Sequence, residues 1–452
     1  MKVHFIAIGG SAMHNLAIAL CKKGYKVSGS DDEIFEPSKS RLENYHLLPE
    51  TIGWNENKIT KELDAVIVGM HARIDNPELI KAQSLGLNIY SYPEYLYEQS
   101  KDKIRVVIGG SHGKTTITSM IIHVLNYYHI DCDYMVGAQL EGFDVMVKLS
   151  DNAAITVLEG DEYLTSPIDR RPKFHLYKPT IALLSGIAWD HINVFPTFDN
   201  YIEQFKIFLN LIVKRGSLIY CTDDENVKTI CETNKNDIYK YPYSLPAYTI
   251  ENNITNLVYN NKKYPLKIFG KHNLLNLNGA RLVCNLLKID DEHFYEAITS
   301  FKGASKRLEL VKSNETVAIY KDFAHAPSKL KATINAVKEQ YPQRKLIACI
   351  ELHTFSSLNE KFLQEYHLSM SAADTAIVYY NQHTLEHKKL PYISPEQVKS
   401  AFGGNNLIVY NDSKRLMDDL CKMDMKEKNL LMMSSGNFDG INLNELADNI
   451  IK

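Results

Sequence analysis

The sequence predicts an α/β protein with parallel sheets. Short apolar runs of high strand propensity alternate with segments whose apolar residues recur at helical spacing, which is typical of βαβ units. The chain has 452 residues. Because this is too long for one compact core, roughly two to four domains are expected. The order of the motifs predicts three domains, at residues 1–102, 103–302 and 303–452.

The composition excludes several classes of protein. Apolar residues make up 45% of the chain and charged residues 23%, and the formal net charge is −3. Such a balance gives no long-range attraction to nucleic acid or to an anionic membrane. The seven cysteines form no C-x-x-C pair, which argues against a zinc ribbon or a disulfide framework. With no membrane-spanning run and no signal peptide, we expect a cytoplasmic protein, in an oligomeric state that stays open.

The first segment begins with a strand, a glycine turn and a helix. Val3–Ile8 is rich in strand-forming residues, Gly9 and Gly10 form the turn, and Met13–Lys23 has helical spacing. Ala65–Val68 is a further buried-type strand. The turn is a weak dinucleotide fingerprint, because alanines occupy two of its three glycine positions, so a dehydrogenase is not predicted.

The second segment contains a phosphate-binding loop. The strand Ile104–Ile108 runs into "GGSHGKTTITS", which an amphipathic helix follows. Backbone N–H groups of such a loop form a nest for phosphate, and the helix dipole adds to it. Lys114 is expected to neutralise phosphate oxygens and Thr115 to bind Mg²⁺. The general P-loop pattern nevertheless requires a glycine where Ile108 stands.

Two more strands bring polar residues towards this loop. Ala154–Leu158 ends at Glu159, and Ile181–Leu184 ends near Asp190 and His191. Ligands of open α/β sheets gather at the carboxyl ends of strands, so one shared site is expected. Glu159 is a candidate Mg²⁺ ligand, with a solvated loop carboxylate as the alternative.

The third segment predicts a second parallel α/β unit that begins near Gly303. Its predicted strands are Val317–Asp322, Leu346–Leu352, Thr375–Tyr380, Leu407–Tyr410 and Asn429–Met433. Before it, the Asn- and Lys-rich segment Asn252–Lys263 predicts a loop or hairpin within the middle domain.

Three polar motifs lie around this boundary. "FGKHNLLNLNGA" places His272 and Asn273 at a helix start, where they cap the helix or contact a purine. "FKGASKRLEL" contains Arg307, which is either a surface residue or a phosphate ligand across a closing interface. "YKDFAHAPSKL" ends a strand with Asp322 and His325.

Taken together, these motifs resemble those of the Mur ligase family over nearly the whole chain. The family's ATP loop is one turn shorter than the general P-loop, which explains Ile108. In this chain it is formed by Gly110, Ser111, His112, Gly113, Lys114, Thr115 and Thr116. "GKHNLLN" is similar to the family's His-Asn-x-x-Asn motif, and "FKGASKR" is similar to its linker motif.

The resemblance implies an ATP- and Mg²⁺-dependent carbon–nitrogen ligase. The three domains would be a Rossmann-like UDP-binding domain, a central P-loop ATPase domain with a parallel sheet, and a C-terminal Rossmann-like domain that contacts ATP and the incoming amine. The lactyl carboxylate of UDP-N-acetylmuramate would attack the γ-phosphate, and the amine would then attack the acyl phosphate.

The resemblance also implies roles for particular residues. The expected catalytic residues are Lys114, Glu159, His191 and Arg307, and the expected metal ligands are Thr115, Glu159 and His191. ATP would contact Gly110–Thr116, Asn273 (adenine), Arg307 (phosphates), Asp322 (ribose) and His325. The UDP-substrate would contact Gly9, Gly10, Ser11, Ala12, Asp31, His71 and Arg73.

Within the family, "EGDEY", "DRRPKFHLYKP" and "WDHINVFP" are similar to the branch that recycles murein peptides. The expected substrates are therefore UDP-N-acetylmuramate and the tripeptide L-Ala-γ-D-Glu-meso-diaminopimelate, with addition of L-alanine in primary synthesis as the alternative. Ala7, Ala326 and "ELHTFSS" depart from the family pattern, which leaves the identity of the amine open. A non-catalytic ATP-binding protein and a ligase for another acceptor, such as a folate, are the competing classes.

Overall fold

The computed structural model describes residues 1–137, 145–166, 168–189, 194–305, 307–404 and 406–451. Contacts between residues divide the chain into two compact units. The first consists of Met1–Ile187, Pro196–Ser244 and Gly279–Phe294. The second consists of Ala188–Phe195, Leu245–Asn278 and Tyr295–Lys452. The boundaries given above for three domains stay a prediction.

The first unit begins with a four-stranded parallel sheet in the order β2-β1-β3-β4. Its strands are β1 (Lys2–Ile6), β2 (Lys26–Ser30), β3 (Ala65–Val68) and β4 (Ile89–Ser91). Its helices are α1 (Ser11–Lys22), α2 (Ser38–Asn44), α3 (Pro77–Ser84) and α4 (Tyr92–Ser100). Every residue of β3 is buried, as expected for a parallel strand that is covered on both faces.

A seven-stranded sheet follows, in the order β11-β10-β9-β5-β8-β6-β7. Its strands are β5 (Ile104–Gly109), β6 (Cys132–Met135), β7 (Val147–Lys148), β8 (Ile155–Glu159), β9 (Ile181–Leu184), β10 (Ser217–Cys221) and β11 (Tyr239–Tyr243). All pairs are parallel except β6 with β7. Since β5 lies between β8 and β9, the carboxyl ends of the three strands that were expected to share a site are adjacent.

The helices that follow these strands are α5 (Lys114–Tyr127), α6 (Phe198–Asn210) and α7 (Glu225–Thr233). Further along the chain come α8 (Lys271–Leu286) and α9 (Asp291–Ile298). Helix α5 begins directly after the glycine loop, and ten of its residues are buried. No helix within the described ranges is long and apolar enough to cross a bilayer.

The second unit contains a small antiparallel sheet of β12 (Tyr248–Glu251), β13 (Ile254–Tyr259) and β14 (Lys262–Pro265). The predicted hairpin is therefore extended by one strand. Its two turns each contain a pair of asparagines with positive φ, at Asn252 and Asn253 (52° and 59°) and at Asn260 and Asn261 (48° and 60°). Asparagine tolerates this conformation, which two-residue hairpin turns require.

The same unit contains a six-stranded sheet in the order β15-β16-β20-β17-β18-β19, parallel except for the β15–β16 pair. Its strands are β15 (Glu309–Ser313), β16 (Ala318–Asp322), β17 (Lys345–Leu352), β18 (Thr375–Tyr380), β19 (Leu407–Tyr410) and β20 (Lys428–Met433). Its helices are α10 (Pro327–Gln340), α11 (Glu360–Leu363), α12 (Gln382–His387), α13 (Pro395–Phe402), α14 (Ser413–Lys422) and α15 (Leu443–Ile450). The prediction of a parallel α/β unit in this part of the chain is confirmed.

Two buried clusters hold this sheet between its helices. One cluster contains Ile334 of α10 and Val398 of α13, and the other contains Leu416 of α14 and Leu446 of α15. Neighbouring residues of β17 alternate between the two clusters, because successive side chains of a strand point to opposite faces.

Candidate functional site

The loop between β5 and α5 has a backbone that only glycine adopts without strain. Gly110 has a φ of 128°, and Gly113, which precedes the first helical residue, has a φ of 76°. A Cβ atom on Gly110 would overlap the Ser185 hydroxyl and lie 3.1 Å from the Gly186 nitrogen. The Ser111 nitrogen donates a hydrogen bond to the Gly186 oxygen at 2.9 Å. The two residues that follow β9, Ser185 and Gly186, thus hold the backbone of this loop in place.

Lys114 is the first residue of α5 and points back across the loop. Its ammonium donates to the Gly110 oxygen at 2.7 Å and lies 2.6 Å from Glu162 Oε2. Burial by itself would lower the pKa of Lys114, but the charges of Glu162 and Asp161 outweigh burial and raise it. Lys114 therefore stays protonated inside the loop, where a bound phosphate would contact its positive charge.

Glu162 belongs to a hydrogen-bonded group that the sequence analysis did not single out. The Tyr201 hydroxyl donates to Glu162 Oε1 at 3.1 Å and lies 2.8 Å from the Ser111 hydroxyl. The Glu162 side chain is only 2% exposed. Its position after β8 was visible in "EGDEY", but Tyr201 comes from α6, and no motif in the sequence connects that helix to the loop.

Thr115 and Glu159 lie together beside the loop, as expected. The Thr115 hydroxyl donates to Glu159 Oε1 at 3.0 Å, and the Gly137 nitrogen donates to Glu159 Oε2 at 2.7 Å. A hydroxyl and a carboxylate are oxygen ligands of the kind that Mg²⁺ prefers. The pair therefore fits one Mg²⁺ bound next to a phosphate, whereas the third predicted ligand, His191, lies outside the described residues.

The other residues predicted to contact ATP belong to the same loop or to the first turn of α5. Ser111 is buried and bonded to the end of β9, as described above. The His112 oxygen accepts a hydrogen bond from the Ser185 hydroxyl. Thr116 is buried on α5. Their contacts with ATP stay a prediction.

The turn predicted to receive the UDP diphosphate joins β1 to α1. Gly10 precedes the helix, and Ser11 is its first residue. Ala7 has a φ of 68°, so an alanine adopts the left-handed conformation that glycine favours. The Gly9 nitrogen donates to Asp31 Oδ2 at 2.6 Å. Burial raises the pKa of Asp31 to about 6, although its bond with Gly9 acts in the opposite direction.

The remaining residues predicted on the UDP side have fewer contacts. Ala12 is half-buried in the first turn of α1. His71 and Arg73 follow β3 and are exposed, and Arg73 Nε lies 3.6 Å from Asp75 Oδ1. Because β3 pairs with β1, the structure brings these side chains to the same edge of the sheet as the Gly9 turn.

Other predicted ATP-binding residues lie in the second unit. Asp322 ends β16, and its carboxylate accepts hydrogen bonds from the Leu308 nitrogen at 2.5 Å and the Ala324 nitrogen at 2.7 Å. Burial raises the pKa of Asp322, while the nearby Arg307 charge acts to lower it. The Arg307 guanidinium lies over the Phe323 ring at 4.9 Å. Asp322 thus connects Leu308, which directly follows the "FKGASKR" motif, to the end of β16.

His325 and Asn273 are also bonded to the backbone of this unit. His325 Nδ1 lies 2.8 Å from the Phe323 oxygen. Asn273 Nδ2 donates to the Phe269 oxygen at 2.9 Å, whereas an N-cap side chain accepts a hydrogen bond from a helix N–H. Burial lowers the pKa of the neighbouring His272 to about 4, so this imidazole is neutral at physiological pH.

Three family models match the chain. The model described as Mur ligase family, catalytic domain, matches residues 2–103, the Mur ligase middle domain matches residues 108–284, and the Mur ligase, glutamate ligase domain matches residues 306–436. The predicted three-domain α/β organisation is thereby confirmed.

Curated relatives align along most of the sequence. The UDP-N-acetylmuramate–L-alanine ligase of Sulfurihydrogenibium sp. (strain YO3AOP1) is 29% identical over 460 residues, covering 100% of this chain and 97% of the relative. The UDP-N-acetylmuramate–L-alanine ligase of Clostridium tetani is 31% identical over 385 residues, covering 81% of each protein.

Solved structures share the fold. The UDP-N-acetylmuramate–alanine ligase of Thermotoga maritima has a TM-score of 0.69 at 19% identity, covering 100% of this chain and 98% of that chain. A murein peptide ligase of Psychrobacter arcticus has a TM-score of 0.65 at 22% identity, covering 100% and 99%. At such identities the likeness concerns the fold alone.

The expected assignment to the peptide-recycling branch is wrong, because the curated relatives above are L-alanine ligases. The arginine-rich stretch that suggested this branch has a local explanation in the structure. Arg171 Nη2 lies 2.6 Å from Asp169 Oδ2 and 3.5 Å from Glu94 Oε1. These ion pairs occupy the guanidinium, so the stretch does not by itself require a peptide substrate.

Proposed function

The chain belongs to the Mur ligase family of ATP-dependent ligases, and we propose that it joins L-alanine to the lactyl carboxylate of UDP-N-acetylmuramate. The alignment with an L-alanine ligase over the full chain is the observation that carries this substrate assignment. The grouping of Lys114, Thr115 and Glu159 around one loop supports the use of ATP. The reaction supplies the first amino acid of the peptidoglycan stem.

The first chemical step transfers the γ-phosphoryl group. A carboxylate oxygen of UDP-N-acetylmuramate forms a bond to the γ-phosphorus of ATP, the bond to the β-bridging oxygen breaks, and ADP leaves. Both reactants are anionic, so the protein contributes charge neutralisation and positioning. Lys114 exchanges Glu162 for the phosphate oxygens, and the loop N–H groups hold them in place.

The second step forms the amide. The amine of L-alanine attacks the carbonyl carbon of the acyl phosphate, and the tetrahedral intermediate expels inorganic phosphate as the nitrogen loses a proton. Mg²⁺, when bound, neutralises charge on the phosphates, and Thr115 and Glu159 are the residues that would hold it. We assign the contact with L-alanine to the C-terminal domain, beginning near residue 303.

A phosphate-release assay tests the assignment. The full chain is incubated with ATP, Mg²⁺ and UDP-N-acetylmuramate, together with L-alanine, D-alanine, the tripeptide or no amine. Release with L-alanine, and formation of UDP-N-acetylmuramoyl-L-alanine by mass, is the expected result. Release with the tripeptide alone would contradict the proposal, and so would release that does not depend on the amine.

A further inference from the structure

Asn15, in the first half of α1, forms hydrogen bonds in two directions. Its side chain is fully buried. Nδ2 donates to the Ser11 oxygen at 2.8 Å, and Oδ1 accepts a hydrogen bond from the Met146 nitrogen at 2.9 Å. Ser11 begins the helix beside the UDP-side turn, whereas Met146 immediately precedes β7 of the larger sheet. One amide therefore bridges two sheets of the first unit.

The hydrogen bonds continue from Met146 to the predicted metal ligands. The Met146 oxygen accepts from the Val136 nitrogen at 2.9 Å. The next residue, Gly137, donates its N–H to Glu159 Oε2 at 2.7 Å, and the other oxygen of Glu159 accepts from the Thr115 hydroxyl. The route from Asn15 to Glu159 thus consists of three hydrogen bonds, the backbone of Met146 and the backbone that joins Val136 to Gly137.

Helix α1 is also held at its other end. Lys23 Nζ, directly after the helix, lies 2.9 Å from Asp151 Oδ1 and 2.9 Å from Gln99 Oε1. Asp151 follows β7 along the chain. Helix α1 and the residue after it are therefore bonded to residues on both sides of β7.

A purely structural role is the competing explanation of Asn15. A buried amide requires partners, because an unsatisfied one loses its hydrogen bonds with water and gains none in the protein. The bond to Ser11, four residues earlier, is local to the helix. The bond to Met146 is not local, since 131 residues separate the two in sequence, and it ends on a segment that leads directly to Glu159.

We propose that Asn15 is a positioning residue that couples the UDP-side turn to the Glu159 carboxylate. Binding of a diphosphate at the turn orders the start of α1, and the Asn15 amide then fixes Met146, Val136 and Gly137. Gly137 in turn holds one oxygen of Glu159, which leaves the other oxygen directed at Thr115. The inference rests on the proposed function, because it assigns UDP-N-acetylmuramate to the turn and Mg²⁺–ATP to the loop.

Calorimetry on the full chain measures this coupling. The affinity for UDP-N-acetylmuramate is determined with and without Mg²⁺ and a non-hydrolysable ATP analogue. In the wild type we expect the analogue to tighten binding on the order of fivefold or more. In Asn15→Leu, which removes the hydrogen bonds of the amide at similar volume, this factor should fall to near one, and the Mg²⁺ concentration at half-maximal activity should rise.

Two further variants separate coupling from stability. Asn15→Ser can still bond to the Ser11 oxygen but is too short to reach Met146, so it should lose the coupling even where Asn15→Leu folds poorly. Asn429→Leu is the matched control, because the Asn429 amide is equally buried and accepts a hydrogen bond from the Ala318 nitrogen at 3.0 Å in the second unit. In this variant the ATP analogue should tighten the binding of UDP-N-acetylmuramate as much as in the wild type.

Failure of this inference and failure of the proposed function are distinguishable. If the wild type ligates L-alanine but shows no coupling, or if the Asn15 variants couple as well as Asn429→Leu, the positioning role is overturned. If the wild type forms no product from UDP-N-acetylmuramate, L-alanine and ATP, the proposed function itself is overturned.

Discussion

Two loops of the first unit begin with the same four residues, Ile-Gly-Gly-Ser, at 8–11 and at 108–111. In the first loop, the helix starts at the serine itself. In the second, three more residues, Ser111, His112 and Gly113, precede the helix, which starts at Lys114. This insertion places a lysine and a threonine on the first turn of the helix, where a triphosphate would contact both.

The charged groups around the two loops also differ. The first loop donates an N–H group to the Asp31 carboxylate. The second surrounds a half-buried lysine with carboxylates. A glycine turn before a helix can bind a phosphate in either place. The residues that follow the turn decide whether it also supports transfer of the phosphoryl group.

The largest effect is expected from removing the lysine of the second loop. Lys114→Ala should reduce phosphate release by roughly 10²–10³-fold, because the developing charge on the phosphates loses its cation. The same change leaves the buried Glu162 carboxylate without Lys114, which should cost about 3 kcal/mol of unfolding free energy. Kinetics and chemical denaturation measure the two effects.

The double variant Lys114→Ala/Glu162→Gln separates these effects. It should regain most of the stability, since the uncompensated buried charge is gone, and it should stay inactive. Turnover near the wild-type rate in either variant would show that phosphoryl transfer does not need Lys114, and it would contradict the proposed difference between the two loops.

The second prediction compares equivalent glycines. Gly110→Ala places a Cβ at a φ of 128° and against Ser185, and should lower the unfolding free energy by about 3 kcal/mol. Gly10→Ala is its control, because Gly10 has a φ of −56° and its added Cβ would lie 3.4 Å from Met13 Cγ. The control should change stability by less than about 0.5 kcal/mol. Equal losses in both variants would show that the backbones of the loops are equally constrained.

The third prediction concerns the carboxylate of the first loop. The pKa of Asp31 is raised from 3.8 to about 6, so between these values the folded protein retains a proton that the unfolded chain has released. The contribution of Asp31 to the unfolding free energy therefore falls as pH rises through this interval. Asp31→Asn removes the titration, and its stability relative to the wild type should rise by on the order of 1 kcal/mol from pH 4 to pH 8.

Denaturation of Asp31→Asn and of the wild type at a series of pH values provides the test. A difference between Asp31→Asn and the wild type that does not vary with pH would contradict the assignment of a raised pKa to Asp31.

The smallest effect is expected at Ala7. Ala7→Gly relieves the left-handed conformation of an alanine, worth about 1 kcal/mol, but adds the chain entropy of glycine, which opposes it by about 0.5–1 kcal/mol. The two nearly cancel, so the melting temperature should shift by no more than a few degrees. A large gain in stability would mean that Ala7 strains the first loop far more than its φ of 68° suggests.

The sequence predicted most of the architecture and the centre of the site. Strand–loop–helix patterns have local causes, so β5, the loop and α5 were predictable, and neighbouring parallel strands brought Glu159 to Thr115 as expected. The contacts of Tyr201 with Ser111 and of Ser185 with His112 were not predicted, because these two residues reach the loop only in the folded chain. The branch of the family was assigned wrongly, since charged stretches such as that around Arg171 look alike in sequence whether they bind a substrate or pair with neighbours.

We propose that this chain activates the carboxylate of UDP-N-acetylmuramate as an acyl phosphate and transfers the acyl group to L-alanine. The most direct test uses UDP-N-acetylmuramate labelled with ¹⁸O in both oxygens of the lactyl carboxylate, in the presence of ATP, Mg²⁺ and L-alanine. We expect one ¹⁸O atom in each inorganic phosphate released and one in the amide of UDP-N-acetylmuramoyl-L-alanine. Unlabelled phosphate would mean that water attacks ATP, and it would contradict the claim.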